Sequence, residues 1–314
     1  MYAMGEQLRL RSPGELTPLL RSMKRRDLCV GILHSGGPAP GGNRVIAGLA
    51  KQFLDVGICS LGFIKGYEWI QELKPEKIRK GIHYLDLTNR VVSGAVDRNA
   101  LILKTSRANP GKKIKVAADL KDDEKTTSMN NVLDVFERLR IGALISIGGD
   151  DTLKTANFIQ QMASRRKGNF MGLVHVPKTI DNDYYGIPWT YGFFTAAESA
   201  GRIVRGLYDD VSGSDGVHIV ELMGRKAGWY TAAAAMYGRA TYAVIPEQFT
   251  EKKLDISKLV DEILGIIIKR EKEGKPYAVI CVAEGVVDLL SEKDKAKLGT
   301  DRHGNLRLAD ANDV

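Results

Sequence analysis

The sequence predicts an α/β fold with mainly parallel sheets, and three observations support this prediction. Short apolar runs with the composition of buried strands recur along the chain, helical stretches lie between them, and glycine or proline marks the junctions. Strands that alternate with helices need crossover connections, and those connections give parallel sheets. With 314 residues, 44% of them hydrophobic, the chain is long enough for one large domain or two smaller ones.

Five apolar segments are predicted to be strands. They are residues 28–33, 143–147, 171–176, 217–223 and 277–283. The first is a continuous apolar run, as in parallel strands that are buried on both faces. Gly148 follows the second segment, Pro177 the third and Glu284 the fifth. Glycine and polar residues therefore cluster beyond the carboxyl ends of the strands, where α/β sheets bind ligands.

Five further stretches are predicted to be helical. They are residues 43–56, 131–140, 152–163, 227–237 and 256–268. In the first stretch, Val45, Leu49 and Phe53 repeat at helical spacing, and the last carries a similar apolar stripe that ends before Gly274. The charged stretch 112–125 is predicted to be a surface excursion rather than a linker between independent domains.

Charge and cysteine content narrow the class of protein. The net charge is +8 and the basic residues are dispersed, which favours small phosphorylated ligands over nucleic acid. No apolar run approaches the roughly 20 residues that cross a bilayer. Cys29, Cys59 and Cys281 lie in apolar segments without metal-ligand spacing, and we predict reduced core thiols in a cytoplasmic protein. Residues 1–27 lack the apolar core of a signal peptide and are predicted to be an N-terminal extension.

The segment "SGGPAPGGN", residues 35–43, connects the first predicted strand to the first predicted helix. Its glycines place backbone N–H groups at a helix start, where the helix dipole favours an anion. Gly36 and Gly37 are therefore candidate phosphate-binding residues. A tight structural turn is an equally good interpretation of this motif alone.

The segment "IGGDDT", residues 147–152, places two carboxylates directly after a glycine turn. A carboxylate beside a phosphoryl group is useful when a cation bridges them, and Mg²⁺ prefers one or two carboxylates together with phosphate oxygens. We therefore predict that Asp150 binds Mg²⁺, directly or through water. The alternative is that Asp150 or Asp151 only caps the helix that begins near Thr152.

The segment "PKTIDND", residues 177–183, follows a predicted strand and contains a lysine, a threonine and two aspartates. Strand alternation would place Asp181 and Asp183 on the same side, where their repulsion and a nearby cation set their charge states. A carboxylate so placed can accept a proton from a hydroxyl group. A surface Asx turn is the alternative, but the cluster is richer than such turns usually are, and we favour a functional site.

These motifs, together with "GFFTA", "ELMGRKAGW" and "VAEG", occur in the order and approximate spacing of the phosphofructokinase family, which the chain resembles over residues 28–285. The resemblance implies a phosphofructokinase-like α/β fold with two Rossmann-like αβα domains. Residues 28–192 are expected to bind pyrophosphate and metal. Residues 193–314 are expected to bind the sugar phosphate and to be incomplete at the C-terminus.

Within the family, the chain resembles the pyrophosphate-dependent members more than the ATP-dependent ones. ATP-using relatives typically have glycine at the positions of Asp151 and Lys178, which leaves room for the nucleotide. Asp151 is expected to deny space and charge complementarity to the α-phosphate of ATP. Lys178 is expected to neutralise Asp151 and to donate to pyrophosphate. Because some ATP-dependent relatives also carry that lysine, the inference depends chiefly on Asp151.

The resemblance implies a Mg²⁺-dependent reaction of glycolysis. Pyrophosphate would transfer a phosphoryl group reversibly to the 1-hydroxyl of fructose 6-phosphate, giving fructose 1,6-bisphosphate and phosphate. The alternatives are an ATP-dependent 6-phosphofructokinase and a non-catalytic regulatory subunit of the same fold. A homo-oligomer, dimer or tetramer, is expected, without nucleic-acid or membrane partners.

The resemblance also assigns roles to single residues. Asp181 would be the general base for the sugar 1-hydroxyl, with Asp183 as a supporting carboxylate near the metal. Gly36 and Gly37 would hold pyrophosphate through their amides, and Arg107 would balance the developing charge. The residues expected to bind substrate are Thr179, Ile180, Asp181, Met223, Gly224, Arg225 and Glu284. For this sugar-side set the alternatives are a buried methionine before a helix-start glycine and a strand-end acid that faces solvent.

Two features depart from the family pattern. Gly216 stands where many relatives have an arginine that reaches into a neighbouring subunit. The chain ends at Val314, where relatives continue with basic residues that bind the sugar 6-phosphate. We therefore expect either a fragment or a naturally shortened form.

Overall fold

The computed structural model describes residues 18, 21–24, 26–166, 168–170, 172–249 and 254–295. The chain divides into two compact units, Met1–Lys178 and Thr179–Val314. Most of the predicted extension 1–27 lies outside the described residues. The predicted boundary after residue 192 lies further along the chain. The predicted and observed boundaries differ over residues 179–192. In this stretch, Ile180 already packs against the hydrophobic cluster of the second unit that contains Phe193, Ala197 and Tyr230.

The first unit is built around a mainly parallel sheet. Its strands lie in the order β3-β2-β1-β4-β5, with β3 antiparallel to β2 and the other neighbours parallel. The elements are β1 (Cys29–His34), α1 (Gly42–Asp55), β2 (Ser60–Phe63), β3 (Tyr84–Asp86), α2 (Asn89–Ser93), α3 (Asp123–Arg138), β4 (Ile141–Gly148), α4 (Asp150–Ala163) and β5 (Gly172–Thr179).

The core of the first unit forms where α3 and α4 pack against the sheet. Met129, Val132 and Phe136 repeat at helical spacing along α3 and are buried in one cluster with Leu144 of β4 and Ile159 of α4. Burying each such side chain contributes about 1.5–3 kcal/mol. The packing therefore fixes β4 and α4, and with them the turn that connects the two.

Helix α3 begins at Asp123, eight residues before the start predicted at residue 131. The Asp122 carboxylate caps it by accepting hydrogen bonds from the amides of Glu124 and Lys125. The first turns of α3 are too polar to show an apolar repeat. Part of the charged stretch 112–125 is consequently helical.

The second unit contains a three-stranded parallel sheet in the order β7-β9-β8. Helices α5 and α6 pack together through alanines and through glycines that allow close approach, since a Cβ at Gly238 would overlap Val204. Of the helices in the described ranges, none combines the length and apolarity needed to cross a membrane. The elements are β6 (Tyr191–Gly192), α5 (Phe193–Ser214), β7 (Val217–Leu222), α6 (Trp229–Gly238), β8 (Tyr242–Val244), α7 (Ile256–Lys272), β9 (Ala278–Ala283) and α8 (Glu292–Lys295).

The predicted α/β fold with mainly parallel sheets is confirmed. All five predicted strands and all five predicted helices are present, with shifted ends. The sequence did not predict helix α5, which is 22 residues long. The other elements that it did not predict are short, such as the three-residue strands β3 and β8. Their segments are too short to show an apolar repeat, and their conformation depends on pairing with a longer neighbouring strand.

Cys29 and Cys59 form a disulfide bond, so the prediction of reduced thiols is wrong for these two residues. Cys29 opens β1 and Cys59 immediately precedes β2. The parallel register that pairs Val30 with Ser60 places the two cysteines side by side, with their Cα atoms 4.8 Å apart. Cys281 is a buried free thiol, which confirms the prediction for that residue.

We expect the oxidised chain to be more stable than the reduced chain. The bond joins residues separated by 30 positions, and closing a loop of that size in the unfolded state is worth about 3–4 kcal/mol. Urea unfolding with and without reductant measures the difference, and the Cys59→Ser variant should show none. Thiol titration of the denatured, unreduced chain should find one of its three cysteines reactive. Three reactive thiols would contradict the bond.

Candidate active site

The turn after β1 is held by hydrogen bonds within the first unit. The Ser35 amide donates to the Ile147 carbonyl at 2.9 Å and continues the pairing of β1 with β4. The Gly36 amide donates to the Ser106 carbonyl at 2.8 Å. The Gly36 carbonyl accepts from Thr105 Oγ1, and the Gly37 carbonyl accepts from Lys178 Nζ, each at 2.7 Å. Gly36 has φ +83°, a conformation that favours glycine.

The structure brings Gly36, Gly37 and Lys178 together as predicted, but it changes the role of one of them. Because the Gly36 amide is bonded to Ser106, it is engaged within the protein. A Cβ added at Gly37 would meet open space within 4 Å. Gly37 is therefore the better candidate for donating a backbone hydrogen bond to phosphate.

Lys178 is buried at the end of β5, with 7% of its surface exposed. Its Nζ donates a hydrogen bond to the Gly37 carbonyl of the glycine turn. The same atom would lie 3.2 Å from a Cβ added at Gly36. The lysine also acts on His34 at the end of β1. Burial, assisted by the Lys178 charge, lowers the pKa of His34 to about 4, so this imidazole is neutral at physiological pH.

The turn between β4 and α4 carries the two predicted carboxylates. Gly149 is the N-cap of α4, so neither Asp150 nor Asp151 occupies the cap position that the alternative gave them. Both aspartates lie in the first helical turn, where the helix dipole stabilises negative charge. A Cβ at Gly148 would overlap Thr152, so only glycine fits there.

His175, in β5, supports the same turn from the neighbouring strand. Its Nε2 lies 3.1 Å from the Gly148 carbonyl, and its Nδ1 lies 3.4 Å from Ser146 Oγ. Burial lowers the pKa of His175 to about 4, although the Gly148 carbonyl and the Asp150 charge act in the opposite direction. The sequence offered no signal for this contact, because it joins residues 27 positions apart.

The two aspartates differ in their surroundings. Asp150 is half-buried, whereas Asp151 is exposed. Asp151 lines a cavity of about 490 Å³ together with Lys112, Lys154 and Phe158. The space beside Asp151 is therefore open, contrary to the expectation that a carboxylate and an ammonium fill it. Exclusion of ATP at this position would have to depend on the charge of Asp151.

The donor atoms of the first unit fit Mg²⁺ in the manner expected for a phosphate-bound ion. No group of three or more histidine, cysteine, aspartate or glutamate side chains that could hold a metal occurs in the described ranges. Mg²⁺ usually keeps several waters and binds one or two carboxylates together with substrate phosphates. Asp150, at the start of α4, can supply such a carboxylate.

Arg107 follows Ser106, whose carbonyl binds the Gly36 amide. Its side chain is exposed. The "KTSR" segment therefore lies against the glycine turn, with Thr105 on the Gly36 carbonyl. Thr105 was not recognised from the sequence, because its contact spans 69 positions.

In the second unit, the segment after β5 forms a turn that is fixed by Thr190. Thr190 Oγ1 donates to the Thr179 carbonyl at 2.7 Å, and the Thr190 amide donates to Asn182 Oδ1 at 2.9 Å. The Asp181 amide donates to Thr179 Oγ1 at 3.0 Å. Because β5 ends at Thr179, strand alternation does not extend to Asp181 and Asp183. The prediction that alternation places both carboxylates on the same side is therefore wrong.

Asp181 and Asp183 flank Asn182, which has a left-handed φ of 54°. Both carboxylates are half-buried. Burial raises the pKa of Tyr230, and the nearby Asp181 charge adds to that effect. The turn thus places the Asp181 carboxylate close enough to Tyr230 of the same unit to affect the pKa of its phenol.

The sugar-side residues assemble at the carboxyl ends of β7 and β9. These strands pair in parallel with Leu222 opposite Ala283, which puts Met223 and Glu284 side by side. The Gly224 amide donates to Glu284 Oε1 at 3.4 Å. Met223 is 55% exposed and Glu284 is half-buried, so neither the buried-methionine nor the solvent-facing alternative describes this set. Arg225 is half-buried in the same loop.

We expect Gly285→Ala to destabilise the chain. The Gly285 amide donates to the Gly224 carbonyl at 3.1 Å, and an added Cβ would overlap the Arg225 carbonyl. Overpacking of this kind costs about 1–3 kcal/mol. Gly265→Ala, a helix position with open space around the added methyl, is the matched control. Urea unfolding checks the effect, and equal stability of the two variants would contradict it.

A family model described as Phosphofructokinase matches residues 29–307. This chain belongs to the phosphofructokinase family. The family predicted from the sequence motifs is thus confirmed, and the match covers both compact units.

Curated phosphofructokinase relatives include enzymes named for both phosphoryl donors. The chain is 32% identical to the pyrophosphate–fructose 6-phosphate 1-phosphotransferase of Thermotoga maritima, covering 90% of this chain and 63% of the relative. It is 33% identical to the enzyme of that name from Naegleria fowleri, covering 90% and 62%. It is 31% identical to ATP-dependent 6-phosphofructokinase 3 of Bacteroides thetaiotaomicron, covering 82% and 68%. Such similar identities do not show whether this chain uses pyrophosphate or ATP as its phosphoryl donor. The chain spans less than two thirds of the length of the first two relatives.

Solved phosphofructokinase structures share the fold. The enzyme of Saccharomyces cerevisiae matches with a TM-score of 0.65 at 22% identity, covering 82% of this chain and 34% of that one. A pyrophosphate-dependent phosphofructokinase of Marinobacter aquaeolei matches with a TM-score of 0.64 at 19% identity, covering 82% and 61%. At these identities the likeness supports the phosphofructokinase fold and no finer assignment.

Proposed function

We propose that the protein transfers a phosphoryl group reversibly from pyrophosphate to the 1-hydroxyl of fructose 6-phosphate, giving fructose 1,6-bisphosphate and phosphate. The observation that carries the donor proposal is the exposed carboxylate of Asp151 in the first turn of α4. The buried ammonium of Lys178, 2.7 Å from the Gly37 carbonyl at the glycine turn, supports it. A fixed positive charge beside a backbone donor favours a compact and highly charged ligand. Pyrophosphate fits that description better than a nucleotide.

In the first unit, the proposed task is to hold the donor and neutralise its charge, on which phosphoryl transfer mainly depends. The Gly37 amide and Lys178 would bind pyrophosphate, and Arg107 would balance the charge that develops during transfer. Mg²⁺, when bound at Asp150, would neutralise pyrophosphate oxygens. Asp151 would repel the additional phosphate of ATP.

In the second unit, the proposed task is to activate and orient the sugar. Asp181 would accept the proton of the 1-hydroxyl, Asp183 would support it, and the Thr179 hydroxyl would donate to the transferring phosphoryl group. The turn bonds from Thr190 support this assignment, because they hold Thr179 and Asn182 in one conformation. The remaining proposed sugar-binding residues are Ile180, Met223, Gly224, Arg225 and Glu284.

An ATP-dependent reaction is the second candidate, and one observation favours it. The cavity of about 490 Å³ beside Asp151 leaves open space next to the first turn of α4. Its lysines, Lys112, Lys115 and Lys154, would attract an anionic ligand. The volume of this cavity alone does not exclude a nucleotide.

A coupled assay of fructose 6-phosphate phosphorylation, with magnesium pyrophosphate or MgATP as donor, tests the proposal. We expect turnover with pyrophosphate and little with ATP, in this chain or in a longer form of it. Turnover with ATP alone would overturn the donor proposal. Binding of Mg²⁺ and pyrophosphate without turnover would indicate the regulatory-subunit alternative.

The homo-oligomeric state and the cytoplasmic location remain predictions. Exposed apolar side chains in the second unit, such as Phe194 of α5 and Met236 of α6, support association of copies. The cytoplasmic location loses one of its supports, because two of the three cysteines are paired.

A further inference from the structure

Within residues 36–38, the glycine turn leaves one backbone donor for a phosphate. Of the nitrogens in residues 36–38, that of Gly36 is engaged with Ser106 and that of Pro38 carries no hydrogen. Among the residues that the structure describes, no acceptor meets the Gly37 amide, and the space beside Gly37 is open. The direction in which this one N–H points therefore decides how the turn can bind an anion.

Thr105 controls that direction through the Gly36 carbonyl. In a trans peptide, the carbonyl of one residue and the amide of the next lie in one plane and point in opposite directions. No cis peptide bond occurs in the described residues. When Thr105 Oγ1 holds the Gly36 carbonyl at 2.7 Å, the Gly37 amide must point away from Thr105.

His34 fixes the hydroxyl of Thr105. His34 Nδ1 lies 3.0 Å from Thr105 Oγ1. The single hydroxyl proton of Thr105 is needed for the Gly36 carbonyl, since two acceptor oxygens 2.7 Å apart would otherwise repel each other. His34 must then donate from Nδ1, and its Nε2 carries the lone pair.

The surroundings of His34 favour the same tautomer. The residue is fully buried, and its Nε2 meets no hydrogen-bond partner in the described part of the chain. A buried N–H without an acceptor costs more than a buried lone pair without a donor. Burial and the Lys178 charge also keep the imidazole neutral, because they lower its pKa to about 4.

We propose that His34 and Thr105 form a fixed donor chain that orients the Gly37 amide toward a phosphate group of the donor. His34 is then a positioning residue rather than an acid or base. The proposal rests on the proposed function, because it assigns the amide to pyrophosphate. It predicts that the hydroxyl of residue 105 affects donor binding and not sugar binding.

Two variants of Thr105 test the binding step. Thr105→Val keeps the shape and removes the hydroxyl, whereas Thr105→Ser keeps the hydroxyl. We expect Thr105→Val to raise the Kd for magnesium imidodiphosphate, measured by calorimetry, about tenfold, as for a lost hydrogen bond to a charged group. The KM for pyrophosphate should rise with it, the KM for fructose 6-phosphate should stay constant, and Thr105→Ser should restore both. Wild-type affinity in Thr105→Val would overturn the proposal.

The tautomer of His34 provides a readout that does not depend on activity. Long-range ¹H–¹⁵N correlation spectra of the full chain distinguish Nδ1–H from Nε2–H, and His34→Asn assigns the signal among the five histidines. We expect Nδ1–H, and Nε2–H would overturn the donor chain. If the wild type binds MgATP but not imidodiphosphate, the proposed donor is wrong. The tautomer and the Thr105→Val loss measured with MgATP then still decide the present proposal.

Discussion

Replacing Asp181 with alanine is expected to lower kcat for fructose 6-phosphate phosphorylation by about 10²–10⁴-fold, the contribution of a positioned general base. The turn that carries Asp181 is held by its own amide bond to Thr179 Oγ1 and by Thr190. The variant should therefore keep the turn and lose only the carboxylate. Because a base acts on the transition state, the KM values for both substrates should change little.

Two further variants separate this effect from a loss of structure. Asp181→Asn preserves the shape of the side chain and should lose as much activity as Asp181→Ala. Asp209→Ala removes an exposed carboxylate in α5 that pairs with Arg205, and it should keep wild-type turnover. Near-UV circular dichroism compares the folds. Near-normal kcat in Asp181→Asn would mean that another group takes the proton.

The parts of the fold that the sequence predicted are those determined by local patterns. An apolar run such as β4 and an amphipathic stretch such as α1 each carry their own signal, so strand, glycine turn and helix could be placed. The glycine turns could be placed because glycine is required there, at Gly36 by its positive φ and at Gly148 by the closeness of Thr152.

Apart from helix α5, the parts that it did not predict depend on contacts between distant segments. The disulfide follows from the register of β1 and β2, which no local pattern encodes. Thr105 and His34 look unremarkable in the sequence, and their role appears only when residues 71 positions apart meet. The same holds for His175 beneath the Gly148 carbonyl.

The space around Asp151 shows most clearly what the sequence could not predict. The resemblance places a carboxylate where ATP-using relatives typically have glycine, but the sequence cannot show whether the neighbouring volume is filled. Asp151 is exposed on the rim of a cavity of about 490 Å³. Lys178, its expected partner, is buried with its ammonium on the Gly37 carbonyl. The steric part of the explanation for pyrophosphate specificity therefore loses support, and the electrostatic part remains.

We expect Asp151→Gly to weaken discrimination against ATP, with an increase in kcat/KM for ATP and a smaller change for pyrophosphate. Two like charges 4 Å apart repel by about 1 kcal/mol in water and about 4 kcal/mol near a protein surface. Because Asp151 is exposed, we expect the lower part of that range, which corresponds to about a tenfold change in kcat/KM. The coupled assay with each donor measures the ratio.

Asp151→Asn distinguishes charge from volume, because asparagine keeps the size of the side chain and removes its charge. If repulsion excludes ATP, Asp151→Asn and Asp151→Gly should gain ATP activity alike, and the wild type should discriminate less at high ionic strength, where exposed charges are screened. If volume excludes ATP, only Asp151→Gly should gain it, and salt should have no effect. Unchanged exclusion of ATP in both variants, with the fold intact, would mean that donor selection does not reside at Asp151.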